Sequence, residues 1–190
     1  MFKKATKKQS KLRMALMGVS GSGKTFTSLA IATALGQKVA VIDTESGSAS
    51  KYSDFFDFDV CELKPPYSAK AYIEALDAAE EAGYDVVIID SLSHAWVGEG
   101  GALEQVDSAS KRFKGNSYMA WGDVTPQYRK LFDAIIRSKC HVIATMRSKT
   151  EYVIENNNGR SVPKKIGMAP QLREGSEYEF DVVGERENSN

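Results

Sequence analysis

The sequence predicts one α/β domain with a mainly parallel β-sheet flanked by helices. Short apolar segments typical of strands alternate with helical segments along most of the chain, and this alternation is the mark of a parallel sheet covered by helices. Two extended segments around an Asn-Gly pair then predict a β-hairpin near the C-terminus. We expect a basic tail over residues 1–11 and a single domain over residues 12–190.

The individual elements are predicted from local sequence. Apolar or β-branched runs predict strands, and helically spaced apolar residues that stop at a glycine predict helices. Strands are expected at residues 12–17, 38–43, 58–63, 85–90, 140–145 and 178–183. Helices are expected at residues 24–35, 68–82, 102–112 and 126–138, the last of them opened by Pro126. The hairpin arms are expected at residues 152–154 and 161–165.

Residues 18–25 carry a complete phosphate-binding motif, G-x-x-x-x-G-K-[ST], between a predicted strand and a predicted helix. Glycines let backbone N–H groups approach phosphate oxygens, and the helix points its positive end at them. Lys24 is expected to reach the β- and γ-phosphates, and the Thr25 hydroxyl to ligate Mg²⁺. The sequence therefore predicts a nucleotide site formed by Gly18, Val19, Ser20, Gly21, Ser22, Gly23, Lys24 and Thr25.

Acidic residues end two further predicted strands at the same edge of the sheet. Asp90 follows four apolar residues and is expected to hold Mg²⁺; the alternative is that it caps the next turn. Glu45, in Asp43-Thr44-Glu45, is expected to orient or deprotonate the attacking water. The alternative is that Asp43 and Glu45 begin a polar loop and cap the segment after it.

Thr145 ends another predicted strand at this edge, with Arg147 and Lys149 behind it. A polar residue in this position can sense the γ-phosphate and signal its presence to the loop beyond the strand. Arg147 and Lys149 either take part in this sensing or are plain surface charges.

The order of these motifs resembles the RecA-like ATPase core. A phosphate-binding loop, Asp43-Thr44-Glu45, Asp90-Ser91 and Thr145 each follow a strand, and a loop and hairpin come next. The likeness runs from about residue 12 to residue 184. It is greatest to short phage-encoded members that consist of little besides the core, some of them described as Sak-type single-strand annealing ATPases.

The resemblance implies ATP as the nucleotide and Glu45 as the residue that activates water. It also implies that Lys165 reaches the ATP of a neighbouring subunit, and hence a homo-oligomer with ATP near its interfaces. Two departures stand out. First, Thr145-Met146-Arg147 replaces the Asn-Gln of RecA proper, so nucleotide sensing is expected to differ. Second, the separate oligomerisation and DNA-binding regions of full recombinases are not seen, which favours annealing or an accessory role over strand exchange.

The function that the resemblance implies is an ATPase of phage recombination acting on single-stranded DNA. Cations and aromatic side chains in two segments, residues 111–122 and 149–165, are suited to binding single strands. The candidate DNA contacts are Arg112, Lys114, Tyr118, Trp121, Arg160, Lys164 and Lys165. One alternative is a small-molecule kinase, which the absence of an Arg-rich lid disfavours. The other is a partner-regulated ATP switch or loader that does not bind DNA directly.

Composition limits these functions further. The 25 basic and 25 acidic residues give a net charge of zero, so any contact with nucleic acid has to be local. A basic cluster crowds the N-terminus, formed by Lys3, Lys4, Lys7, Lys8, Lys11 and Arg13. No apolar run approaches the roughly 20 residues that cross a bilayer, and no apolar stretch typical of a signal peptide follows the N-terminal lysines. We therefore expect a cytoplasmic protein without a membrane segment.

Overall fold

A computed structural model of the chain describes residues 10–157 and 160–186, and within residues 150–168 it describes the backbone only. These residues form seven strands: β1 (Arg13–Gly18), β2 (Val39–Asp43), β3 (Asp59–Glu62), β4 (Val86–Asp90), β5 (His141–Asn157), β6 (Arg160–Pro170) and β7 (Val182–Arg186). The helices are α1 (Lys24–Leu35), α2 (Ala69–Glu81), α3 (His94–Val97), α4 (Ala102–Arg112) and α5 (Ser117–Arg137). Two short 3₁₀ helices cover Ala49–Tyr52 and Ser176–Glu179.

The sheet has the order β3-β2-β4-β5-β1-β7, and all of these strands are parallel. β6 pairs antiparallel with the second half of β5. β5 therefore lies between β1, which leads into the phosphate-binding loop, and β4, which ends at Asp90. Because parallel strands share one carboxyl edge, the motifs at the ends of β1, β2, β4 and β5 meet there. The predicted fold class is confirmed.

Helices cover both faces of the sheet. β2 and β4 are buried throughout, and alternate residues of β4 enter different cores. Val86 and Ile88 pack with Leu29 of α1 on one face. Val87 and Ile89 face the other core, which α2, α4 and α5 supply. This double burial explains why these strands read as continuous apolar runs. Among the described residues, no helix combines the length and apolar character needed to cross a bilayer.

The last predicted helix begins earlier than expected. α5 starts at Ser117, where the Asn116 side chain accepts a hydrogen bond from the Met119 N–H, and Pro126 lies inside it. Ala120 and Val124 are buried and extend the apolar stripe of α5 toward its N-terminus, so tertiary packing favours helix on both sides of the proline. Pro126 itself is exposed, so its ring interrupts the helix on the solvent side.

The C-terminal region differs from prediction in two places. Residues 176–179 form a 3₁₀ helix, and the final strand begins at Val182 because pairing with β1 starts at Met14↔Val182. The hairpin is also longer than predicted, since β5 continues beyond the parallel sheet and pairs with β6 from Ser148↔Pro170 to Asn157↔Arg160. The turn residues 158–159 lie outside the described residues.

Candidate nucleotide site

The loop between β1 and α1 has the backbone that the phosphate-binding motif requires. Gly23, immediately before α1, adopts a left-handed conformation with φ of 82°, which strongly favours glycine. Gly18 lies so close to β7 that a Cβ there would be 2.5 Å from the carbonyl oxygen of Arg186. The Arg186 side chain also donates a hydrogen bond to the Ser22 carbonyl oxygen (3.3 Å). β7 therefore packs against the phosphate-binding loop and supports its conformation.

Lys24 is held over this loop. Its Nζ donates hydrogen bonds to the carbonyl oxygens of Gly18 (3.0 Å) and Val19 (2.8 Å). Burial lowers the pKa of the Lys24 amine, while the charges of Asp90 and Glu45 act in the opposite direction. The Lys24 amine thus lies inside the site, where backbone carbonyl oxygens accept its hydrogen bonds.

Asp90 lies at the centre of the site. The Thr25 hydroxyl donates a hydrogen bond to Asp90 Oδ2 (2.6 Å), and the Thr145 hydroxyl donates one to Oδ1 (2.5 Å). Burial raises the pKa of Asp90, and the two hydroxyl hydrogen bonds partly offset that effect. Three predicted residues from α1, β4 and β5 are thus in direct contact.

Glu45 forms an ion pair with Arg147. Arg147 Nε donates to Glu45 Oε1 (2.9 Å), and Arg147 Nη2 donates to Oε2. The Ser91 hydroxyl also donates to Oε1 (3.0 Å). Burial raises the pKa of Glu45, but the hydrogen bonds and charge of Arg147 outweigh it, and the pKa lies below its ordinary value.

Asp43 has a different environment from Glu45. It is buried, and its carboxylate accepts hydrogen bonds from the backbone N–H groups of Glu45 (2.6 Å) and Ala49 (3.2 Å). The capping alternative therefore describes Asp43, which fixes the loop after β2. The Glu45 side chain instead faces the site.

A network of polar side chains lies behind Glu45. Thr44 Oγ1 accepts a hydrogen bond from the Ser91 N–H (2.8 Å) and lies 2.7 Å from His94 Nδ1. The His94 ring stacks on Tyr67, and burial lowers the pKa of His94. This network joins the ends of β2 and β4 and fixes the backbone that carries Glu45.

These side chains surround one cavity of about 310 Å³. Its lining residues are Ser20, Gly21, Gly23, Lys24, Thr25, Glu45, Ser48, Lys51, Tyr52, Asp90 and Arg147. Gly18, Val19 and Ser22 shape the loop without lining the cavity, and Thr145 is fully buried behind Asp90. Among the described side chains of β5, Arg147 is therefore the one that reaches the cavity.

Sequence reasoning missed Ser48, Lys51 and Tyr52. They belong to the segment after Glu45, whose 3₁₀ helix brings Tyr52 against Phe26, with ring centroids 5.9 Å apart. Arg186 was missed as well, because it comes from the far end of the chain. No local motif marks these residues, and only the aromatic residues clustered after Glu45 hint at a wall beside the loop.

The donor atoms suit magnesium only in company with a nucleotide. Within residues 10–157 and 160–186, no group of three or more His, Cys, Asp or Glu side chains could hold a metal ion. Thr25 and Asp90 supply one hydroxyl and one carboxylate, the hard oxygen ligands that Mg²⁺ combines with phosphate oxygens and water. The site therefore fits a magnesium nucleotide.

The candidate DNA contacts whose side chains are described do not line this cavity. Arg112 pairs with Asp123 (3.0 Å) on the surface, and Lys114 lies in the turn after α4. Trp121 stacks on Trp96 inside a half-buried cluster and is less available to a base than expected. Tyr118 is exposed. Arg160, Lys164 and Lys165 lie on β6, and their side chains are outside the described part of the chain.

The fold and the cavity define a P-loop nucleotide-binding protein. A family model described as an AAA domain matches residues 10–189. The chain therefore belongs to this AAA-domain family, whose members are nucleotide-binding ATPases. The expected P-loop ATPase class is confirmed, whereas the closer likeness to Sak-type annealing ATPases stays a prediction.

Other comparisons add little. No curated protein matches the chain. Among solved structures, an iron-containing alcohol dehydrogenase from Corynebacterium glutamicum is similar over 97% of this chain and 43% of that chain, with 11% identity and a TM-score of 0.39. The chain thus spans less than half the length of that protein, and a similarity this weak carries no argument about fold or activity.

Proposed function

We propose that the protein hydrolyses ATP to ADP and phosphate with Mg²⁺, and that it uses this reaction to act on single-stranded DNA during phage recombination. The observation that supports hydrolysis best is the convergence of Lys24, Thr25, Asp90 and Glu45 on one cavity. Lys24 and Thr25 begin α1, Glu45 follows β2, and Asp90 ends β4. Together these four side chains can bind phosphates, hold a metal ion and activate water.

Each residue has a distinct task in this proposal. Lys24 and the loop N–H groups bind the phosphates, and Thr25 with Asp90 holds the metal ion. Mg²⁺, when bound, neutralises charge on the phosphate oxygens. Glu45 accepts a proton from the attacking water. Tyr52, which also lines the cavity, supplies an aromatic surface for the nucleobase.

Action on DNA is supported by the hairpin. β5 continues as one strand from Thr145, beside Asp90, to Asn157, with a shift in its pairing register between Glu151 and Tyr152. Its partner β6 carries the cations Arg160, Lys164 and Lys165. A ligand on the hairpin would therefore act on a strand that is continuous with the nucleotide site, and a coupling of this kind is reciprocal. Lys165 is proposed to reach the ATP of an adjacent subunit in a homo-oligomer.

Glu45→Gln tests the hydrolytic part of the proposal. The amide keeps the shape of the carboxylate but cannot accept the proton, so turnover should fall by roughly a hundredfold or more. ATP binding should be retained. Phosphate release and calorimetry measure the two effects, and Glu74→Gln on the exposed part of α2 is the matched control. An unchanged turnover rate in Glu45→Gln would place the base elsewhere.

A further inference from the structure

The Glu45–Arg147 pair conflicts with the task proposed for Glu45. Both carboxylate oxygens accept hydrogen bonds from one guanidinium, and Ser91 donates a third hydrogen bond. A carboxylate held in this way has its negative charge stabilised and its lone pairs engaged, so it accepts a proton from water poorly. Glu45 must be released before it can act as a base.

The surroundings of Arg147 allow it to release Glu45. Its backbone is fixed: the N–H donates to Ser93 Oγ (2.9 Å), and the carbonyl accepts from the Gln171 N–H (2.7 Å). Its side chain is 42% exposed and lines the same cavity as Lys24 and Thr25. A guanidinium on a fixed backbone can therefore exchange one oxyanion partner for another without any rearrangement of the sheet.

We propose that Arg147 is a latch that holds Glu45 and exchanges it for the terminal phosphate of a nucleoside triphosphate. This inference rests on the proposed function. The exchange frees the base only when a third phosphate is present to be cleaved, and it adds a cation to that phosphate at the same time. Arg147 thus positions Glu45 before a triphosphate binds and contacts the terminal phosphate afterwards. A diphosphate is too short to open the latch.

The latch makes a prediction about binding that is independent of turnover. In the wild type, a triphosphate must break the Glu45–Arg147 pair to gain Arg147. Glu45→Gln weakens the pair, because a neutral acceptor binds a guanidinium less strongly than a carboxylate does. The variant should therefore bind a non-hydrolysable ATP analogue about fivefold more tightly with Mg²⁺, the scale of one partly exposed ion pair. ADP affinity should change by less than about twofold.

A double-mutant cycle separates the latch from simple removal of a negative charge. Arg147→Gln should weaken triphosphate binding about fivefold and leave ADP binding nearly unchanged. In the Arg147→Gln background, Glu45→Gln should no longer tighten binding, since there is no arginine to release. Calorimetry on the wild type, both single variants and the double variant measures all four affinities, and thermal melting confirms that each variant is folded.

The control and the contradicting outcomes are distinct. Asp123→Asn breaks an arginine–carboxylate pair of similar chemistry outside the cavity and should leave nucleotide affinity unchanged. Equal tightening by Glu45→Gln with and without Arg147, or no tightening at all, would overturn the latch while leaving the ATPase proposal intact. Failure of the wild type to bind ATP would instead overturn the proposed function.

Discussion

Asp90 illustrates a functional residue that is costly to the fold. The carboxylate is almost completely buried and accepts hydrogen bonds from two threonine hydroxyls, and it forms no ion pair with the described side chains. Burial raises its pKa despite these hydrogen bonds. An ionised group in such a place lowers the stability of the fold, as expected of a residue that is kept for binding.

Asp90→Asn should therefore separate magnesium binding from stability. The amide is a weaker metal ligand, so ATP affinity should fall more in the presence of Mg²⁺ than in its absence. Calorimetry with and without the metal measures this difference. Equal losses under both conditions would rule out Asp90 as a metal ligand.

The same variant has an expected pH signature. An acid whose folded pKa is raised destabilises the fold as pH rises above its unfolded pKa, because the unfolded state releases its proton first. The melting temperature of Asp90→Asn should thus equal or exceed that of the wild type at neutral pH. The advantage should shrink as the pH falls below the folded pKa and vanish below the unfolded one. A less stable variant at neutral pH would contradict this account of the buried charge.

At the scale of elements, the sequence predicts correctly those helix ends that depend on residues nearby in the chain. α1 and α4 begin and end where predicted, since flanking glycines and apolar spacing act within a few residues. The predicted start of α5 at Pro126 was wrong, because the packing of Ala120 and Val124 against the core outweighs the proline signal. The Glu45–Arg147 pair depends on the strand order, in which β4 alone separates β2 from β5, and no local pattern contains that information.

Gly122→Ala tests the extended helix directly. Gly122 lies inside α5, four residues before Pro126, and a Cβ there meets nothing within 4 Å. Alanine should stabilise the protein by about 0.5–1 kcal/mol, as at exposed helical glycines. Urea denaturation measures the change.

Gly115→Ala is the matched control, because its Cβ also meets nothing but its φ is 85°. It should destabilise the protein by about 1 kcal/mol. Destabilisation by Gly122→Ala would mean that residues 117–125 do not form the helix.

The hairpin carries the prediction about DNA. Arg160→Ala with Lys164→Ala should weaken binding of a fluorescein-labelled oligothymidylate and reduce the salt dependence by up to about two contacts, near 0.7 each in the logarithmic slope. ATP binding without DNA should survive. Fluorescence anisotropy across a salt series measures both quantities.

Arg137→Ala with Lys139→Ala is the control, since these exposed cations flank the C-terminal end of α5, away from the hairpin. Equal effects of the two double variants would show that the hairpin has no special part in DNA binding.

At the scale of the molecule, one strand connects the nucleotide site with the hairpin. β5 lies between β1 and β4 in the parallel sheet, and the same strand then leaves the sheet to form the hairpin. The nucleotide site and the proposed DNA segment are thus two ends of one element, with Arg147 at their junction. Because the net charge is zero, any DNA binding has to come from a local segment of this kind and not from the surface as a whole.

Phosphate release from ATP by the full chain, with no phosphoryl acceptor and with or without single-stranded DNA, tests the central claim most directly. We expect release that requires Mg²⁺, that single-stranded DNA increases and that Lys24→Ala abolishes, because the cation that binds the phosphates is lost. Release that DNA leaves unchanged would contradict the recombination role and favour a partner-regulated switch. No release under either condition would contradict the account as a whole.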